Sequence, residues 1–308
     1  MRGAAATALL AILLLAGCSG AKTRPPHVVG AAVSHGRSAV SHGSTSGRDT
    51  ADSFNDDINR PQSSRYRDNS DSVPGTVPDV SKLVEPVPKV EPRSLYGNKS
   101  PYTVLGKTYR VLPSARGYDE RGIASFYGNK FHGYRTSSLE TYDMYAFSAA
   151  STTLPLPSYA QVTNLENGKS VIVRVNDRGP FHENRLIDLS YAAAVKIGIW
   201  PKGTGLVEVR GIDPGSPAQE LPSPRVVRAG HPGIYLQVGA FSDADNAERL
   251  AQRLRQAKLG EVQILDAQVN GRHVHRVRVG PLADVEQADQ VSARIEAMGL
   301  PSPQVAVD

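Results

Sequence analysis

Asn167-Gly168 lies between two β-rich runs, residues 159–164 and 170–175, and this pairing constrains the fold more than any other feature of the chain. An Asn-Gly pair between two β-rich runs is a strong hairpin signal, so the flanking runs are read as paired antiparallel strands. The same punctuation holds from Gly117 to Asp213. Residues 122–127 and 205–212 are strand-like. Residues 191–197 form a short helix, with Asp188 and Ser190 as candidate N-caps and Gly198 as its stop. Upstream, Gly106-Lys107 sits between runs 102–105 and 108–112 as a further hairpin. About 95 residues of short strands with one or two helices predict a small β-barrel.

The C-terminal segment repeats itself. Val238-Gly239-Ala240-Phe241 returns as Val279-Gly280-Pro281-Leu282, Asp243 as Asp284, Ala247 as Ala288, and Leu250 and Leu254 as Val291 and Ile295. Each copy reads as a strand, a turn whose Asp caps a helix, and an amphipathic helix. With the β-rich run 262–267 between them, the copies predict a split βαββαβ sandwich, with one antiparallel sheet and helices on one face. The other face is expected to be free. It would carry Tyr235, Gln237, His275 and Arg276 or Arg278.

The N-terminus is a targeting signal rather than part of a fold. An apolar run over residues 4–15 is too short to span a bilayer, and Leu15-Ala16-Gly17-Cys18 follows it. Cys18 is the only cysteine, so no intramolecular disulfide forms. From Ser19 to Arg93 the chain is rich in Ser, Gly, Pro, Asp, Asn and Arg, with few aromatics and no periodicity. Such a composition predicts a disordered tether, with an r.m.s. reach of about 45–50 Å. His27, His35 and His42 in it show no metal-ligand pattern. The expected organisation is a signal peptide (1–17), a tether (18–100), a barrel (101–213), a Pro/Gly/Ser-rich linker (214–230) and the repeat domain (231–308). A net charge of +5 is too small to argue for nucleic acid, and the exposed sheet lacks the basic-aromatic signature of RNA binding.

The barrel segment carries a dense series of motifs. Gly122-Ile-Ala-Ser-Phe-Tyr-Gly128 is followed by Phe131-His132-Gly133, Arg135-Thr136-Ser137, Glu140-Thr-Tyr142-Asp143 and Thr153-Leu-Pro155. Val173-Arg-Val-Asn-Asp-Arg-Gly-Pro-Phe181 and Arg185-Leu-Ile-Asp-Leu-Ser190 close it. In this order they resemble the rare lipoprotein A family, whose barrel is a double-psi β-barrel, and the C-terminal repeat resembles the SPOR domain that commonly follows it. Leu-Ala-Gly-Cys resembles a bacterial lipobox. That implies a diacylated Cys18 as membrane anchor, and Ser19 after it implies sorting to the outer membrane, facing the periplasm.

The resemblance implies a lytic transglycosylase. It would cut between N-acetylmuramic acid and N-acetylglucosamine in glycan strands stripped of their peptides, at the division septum, with other division proteins as candidate partners and with no metal or organic cofactor. A carboxyl protonates the departing oxygen, and the muramic acid C6 hydroxyl attacks in place of water. Spacing alone reads Asp177, before Arg-Gly-Pro, as a turn cap. The family match instead assigns it the general acid/base role, with Glu120 and His132 as further catalytic residues. Tyr127, Phe126 and Tyr142 are candidates to stack on sugars, and Arg135, Arg178 and Arg185 to meet the lactyl carboxylate. Gln237, Tyr235 and His275 would bind glycan. Two positions depart from the family pattern: Leu139 stands where a glycine precedes the Glu, and Ser151 where a histidine precedes Thr-Leu-Pro. A lipid-tethered, wall-binding or wall-loosening protein without cutting activity is the alternative.

Overall fold

The computed structural model describes residues 62–215, 233–269 and 271–307. The signal segment, Cys18, the three histidines of the tether and most of the linker lie outside these residues.

Six strands close the barrel: β3 (Asp119–Tyr127), β4 (Ser148–Ala150), β5 (Ser158–Asn164), β6 (Ser170–Asp177), β7 (Ile187–Ser190) and β8 (Gly205–Ile212), in the order β3-β7-β4-β6-β5-β8. β3–β7 and β4–β6 are parallel, and the remaining pairs are antiparallel. The Asn-Gly hairpin joins β5 to β6, with Thr163 opposite Ser170. Val171, Val173 and Val175 alternate into the barrel core beside Val162, Leu189, Val207 and Val209, all at most 1 % exposed. The short helix α2 (Tyr191–Lys196) is capped by Ser190, whose Oγ accepts from the Ala193 amide at 3.3 Å. Asp188 is therefore not the cap. A small hairpin, β1 (Tyr102–Val104) with β2 (Lys107–Tyr109), precedes the barrel.

Residues 62–100, read from composition as tether, are held to the barrel instead. Apart from a short turn of helix α1 (Gln62–Arg65) and a 3₁₀ turn at Val80–Lys82, they are irregular. Asp71 accepts from the amides of Gly128 (2.7 Å) and Lys130 (3.0 Å), and Glu85 from that of Ile172 (2.8 Å). Glu91 takes two bonds from the Arg174 guanidinium at 3.1 and 3.0 Å. Gly97, at φ +73°, passes so close to Ser137 that a Cβ would lie 2.8 Å from its carbonyl oxygen. These anchors are polar and singly spaced, so hydrophobic periodicity carries no trace of them.

The C-terminal domain is the expected βαββαβ unit: β9 (Ile234–Phe241), α3 (Ala244–Gln256), β10 (Val262–Val269), β11 (Arg272–Leu282), α4 (Val285–Ala297) and β12 (Gln304–Val307), with sheet order β10-β11-β9-β12. Asp243 and Asp284 cap the two helices, accepting from Asn246 at 2.9 Å and Gln287 at 2.7 Å. Leu250, Leu254, Val291 and Ile295 bury against Leu236, Val277 and Val279.

Two face assignments are corrected by the strand register. His275 pairs with Asp266 as Val277 pairs with Ile264 and Val279 with Val262, so it lies on the helix-side face, not the open one. Arg276 and Arg278 both fall on the open face, with Tyr235 and Gln237. Nor is that face bare. Gln237, Arg276, Arg278 and Gln304 line a cleft of about 480 Å³ whose other wall is Asp119, Glu120 and Arg121 at the start of β3.

Candidate active site

The centre of the site is a residue without chemistry. Ala150 in β4 is paired on one side with Asp177 of β6 and on the other with Asp188 of β7. Two strand spacings put the backbones of these acids about 9–10 Å apart, near enough for their side chains to share a pocket. The parallel β4–β6 pairing and the antiparallel β4–β7 pairing bring them there. Gly179, at φ +143°, turns the chain past both: a Cβ on it would lie 3.7 Å from Asp188 Oδ2 and 3.8 Å from the Ala150 Cβ.

Asp177 is held by one oxygen. Its Oδ1 accepts from the Ser137 amide (2.8 Å), the Ser137 hydroxyl (2.7 Å) and the Arg178 amide (2.7 Å), and among the described residues Oδ2 has no such bond. The side chain keeps some contact with solvent, yet protein surrounds it closely. That burial raises its pKa above the ordinary carboxylate value, and the bonds from Ser137 and Arg178 only partly oppose it. Asp188 behaves alike: burial raises it, a hydrogen bond from Ser125 Oγ opposes, and the negative charge of Asp177 raises it further. Two crowded carboxyls, both raised by burial and one raised further by the other's charge, are the arrangement that keeps one protonated for general acid work.

Tyr127 lies under both acids. It is 7 % exposed, stacks on Tyr142 at 4.1 Å, and its buried hydroxyl makes no hydrogen bond of normal geometry, Ser148 lying beside it. Burial, then the charges of Asp177 and Asp188, push its ionisation well above the usual phenol range. Tyr127 is thus a floor to the site rather than an open stacking platform. Tyr142, fully buried with its hydroxyl donating to the Tyr127 carbonyl at 2.6 Å, is core. Phe126, half-buried, meets the Trp200 ring edge-on at 5.8 Å.

The other expected residues separate. His132 Nδ1 accepts from the Met144 amide at 3.2 Å and lies 3.8 Å from Asp143, which places the proton of a neutral ring on Nε2. It belongs to the rim loop over Tyr142. Glu120 sits at the far end of β3, five residues from Ser125 and so about 16 Å along the strand from the group that touches Asp188. It lines the cleft facing the C-terminal sheet and is not brought to the acids.

Arg178 is committed to the protein. Its guanidinium donates to the carbonyls of Gly97 (2.6 Å), Ser151 (2.8 Å) and Leu154 (2.6 Å) and to Asn98 Oδ1 (3.2 Å), leaving no fork for a substrate carboxylate. Arg185 is spent likewise in a two-pronged pair with Asp289 of the C-terminal domain, at 3.0 and 2.7 Å. Arg135 is exposed at the rim, where its Nη1 donates to the Leu139 carbonyl at 2.7 Å.

Sequence reasoning passed over Asp188, Ser125 and Ser137. Asp188 is read from the sequence as a helix cap, and its burial depends on two neighbouring strands. The departures also have places. Leu139 occupies φ +66°, a left-handed conformation that suits glycine, in the turn that delivers Ser137. Ser151 is buried, and its Oγ accepts from the amides of Thr153 (3.2 Å) and Leu154 (3.1 Å), closing the turn behind Asp177.

Glu140, in that same rim segment, is bound to Arg174 and accepts from Asn176 Nδ2 at 2.9 Å; burial raises its pKa, but these bonds win and lower it. It is a charged brace, not a proton donor.

Residues 119–210 match the family described as lytic transglycolase, and residues 230–306 match the SPOR domain. The endolytic peptidoglycan transglycosylase RlpA of Pseudomonas aeruginosa (strain UCBPP-PA14) is 40 % identical over 290 residues, covering 77 % of this chain and 84 % of its own. That of Vibrio cholerae serotype O1 is 40 % identical over 238 residues, covering 77 % and 88 %. Among solved structures, the RlpA SPOR domain from Pseudomonas aeruginosa is 34 % identical, covering 24 % of this chain and 97 % of that one, at a TM-score of 0.23. With that identity across both domains, the chain belongs to the RlpA family of endolytic peptidoglycan transglycosylases.

Proposed function

We propose that the barrel cuts MurNAc–GlcNAc bonds within peptidoglycan, with Asp177, its pKa raised by burial, as the general acid and base and Asp188 as its crowded neighbour. The observation that carries this is the Asp177–Ala150–Asp188 arrangement, in which Ser137 and the Arg178 amide hold one oxygen of Asp177 and leave the other for the glycosidic oxygen. The proton moves from Asp177 to the leaving oxygen as the C1–O bond breaks. The C6 hydroxyl of the same muramic acid bonds to C1, and its proton returns to Asp177. No water is consumed, and the product carries a 1,6-anhydro ring.

His132 and Arg135, on the rim, contact the flanking sugars. Glu120 and Gln237 border the cleft between barrel and sheet, and with Tyr235 on the same sheet face they belong to glycan binding rather than to proton transfer. The substrate is glycan stripped of its peptides, met at the division septum by an enzyme anchored in the outer membrane through Cys18.

Purified full chain incubated with amidase-treated sacculi is expected to release 1,6-anhydromuramyl products, and Asp177→Asn to lose them by about 10²-fold or more. Hydrated ends would mean a hydrolase. Retained binding to sacculi with no release of product would leave the wall-binding alternative.

A further inference from the structure

Toward the turn end of the β10–β11 hairpin the helices no longer cover the sheet: Val262, Val277 and Val279 are buried, whereas Asp266 and His273 are exposed. His273 and His275 are two residues apart on one strand and so project from the same face, with their rings 5.1 Å apart edge to face. The register sets Asp266 directly opposite His275, and His275 Nδ1 lies 2.6 Å from Asp266 Oδ1. One donor atom from each of the three lies within 4.8 Å of the others.

We propose that Asp266, His273 and His275 form a binding site for a divalent cation of zinc's class. Two imidazole nitrogens and one carboxylate oxygen are the donor set that borderline metals take, with a fourth position left to water. Ligands at 2.0–2.2 Å in a tetrahedron stand about 3.3–3.5 Å apart; His275 and Asp266, at 2.6 Å, open by less than an ångström, and the wider separations, at most 4.8 Å, close by an ångström or so. Asp266, 65 % exposed, is free to rotate, while His275, at 19 %, is held in place. No other acid faces the trio from the paired strands: Gln268 stands opposite His273, and Phe241 opposite His275 from β9. The bound ion cross-links β10 to β11 where no helix braces them. Sequence spacing gives only the His-x-His; the third ligand is supplied by strand pairing.

Zn²⁺ titrated calorimetrically into the full chain is expected to show one tight equivalent. Its affinity should fall by about 10–100-fold or more in His273→Ala, His275→Ala and Asp266→Asn, a loss at least as large as that from removing an outer-shell partner. His182→Ala, an exposed histidine elsewhere, should leave it intact. Co²⁺ in place of Zn²⁺ should give the visible absorption of a tetrahedral site in the natural chain and not in His273→Ala. Each variant's circular dichroism without metal controls for folding, which exposed His273 and Asp266 are not needed to maintain. Equal Zn²⁺ affinity in the natural chain and in His273→Ala, or the absence of a tight equivalent in the natural chain, overturns the site.

Discussion

Ala150 makes Asp177 and Asp188 neighbours, and their shared crowding has a consequence for stability as well as for proton transfer. Both carboxyls have folded-state pKa values raised by burial, so between the ordinary carboxylate value and the raised one the folded chain holds more protons than the unfolded chain. Stability from these groups is therefore present at acid pH and lost as pH rises through the raised values. Asp188→Asn, which keeps the shape and the acceptor for Ser125 but no charge, should be more stable than the natural chain at about pH 7.5. That advantage should shrink towards about pH 4. Denaturant midpoints across that range test it; an advantage that does not vary with pH would contradict the assignment. With Asp177 as the proposed acid, the same reasoning gives the activity an alkaline limb, because the fraction of Asp177 able to donate a proton falls as pH rises through its raised pKa. Little of this was legible in the sequence. Asp177 could be singled out by its motif, but whether an acid is buried, and beside which other acid, depends on strands far apart in the chain.

At the scale of elements, the turn over residues 136–140 does more than connect. It presents the Ser137 amide and hydroxyl to Asp177 and is braced by Glu140 on Arg174. Leu139 pays for this with a left-handed backbone, which costs a non-glycine residue about 1–2 kcal/mol. Leu139→Gly should raise unfolding stability by about 0.5–1 kcal/mol, after allowing for the greater freedom glycine gives the unfolded chain, and equilibrium denaturation measures it. No gain, or a loss, would mean that the half-buried Leu139 side chain stabilises more than its backbone costs. The helices show the opposite case. Asp243 and Asp284 were readable as caps because the repeat printed the same offset twice, and a cap is satisfied within its own first turn. The β5–β6 hairpin was readable for the same reason: the information is local.

The whole molecule joins its two domains through polar contacts that no periodicity signals and through an apolar seam, where Ile123, Leu165 and Leu206 of the barrel share a buried cluster with Ile234 and Leu236. Arg185, its side chain 9 % exposed, meets Asp289 of α4, and the start of β3 walls the cleft against the open sheet. Arg185→Ala should cost about 1–2 kcal/mol at this junction. In small-angle scattering the chain should become more extended, because the ion pair and the shared apolar cluster hold the domains together jointly. An unchanged radius of gyration would show that Arg185 does not hold the domains together.

By itself the sequence determined what is written in neighbouring residues: the short strands and their Asn-Gly turn, the repeated strand-cap-helix unit, and the motif that marks Asp177. Tertiary structure alone decided that residues 62–100 lie along the barrel, that Arg178 and Arg185 are spent inside the protein, that Glu120 stands apart from the acids, and that Asp188 stands with Asp177. The division has one physical cause. Turns, caps and periodicity are satisfied within a few residues, whereas burial, charge pairing and access to a substrate are properties of space, set by which distant strands the closing barrel brings side by side.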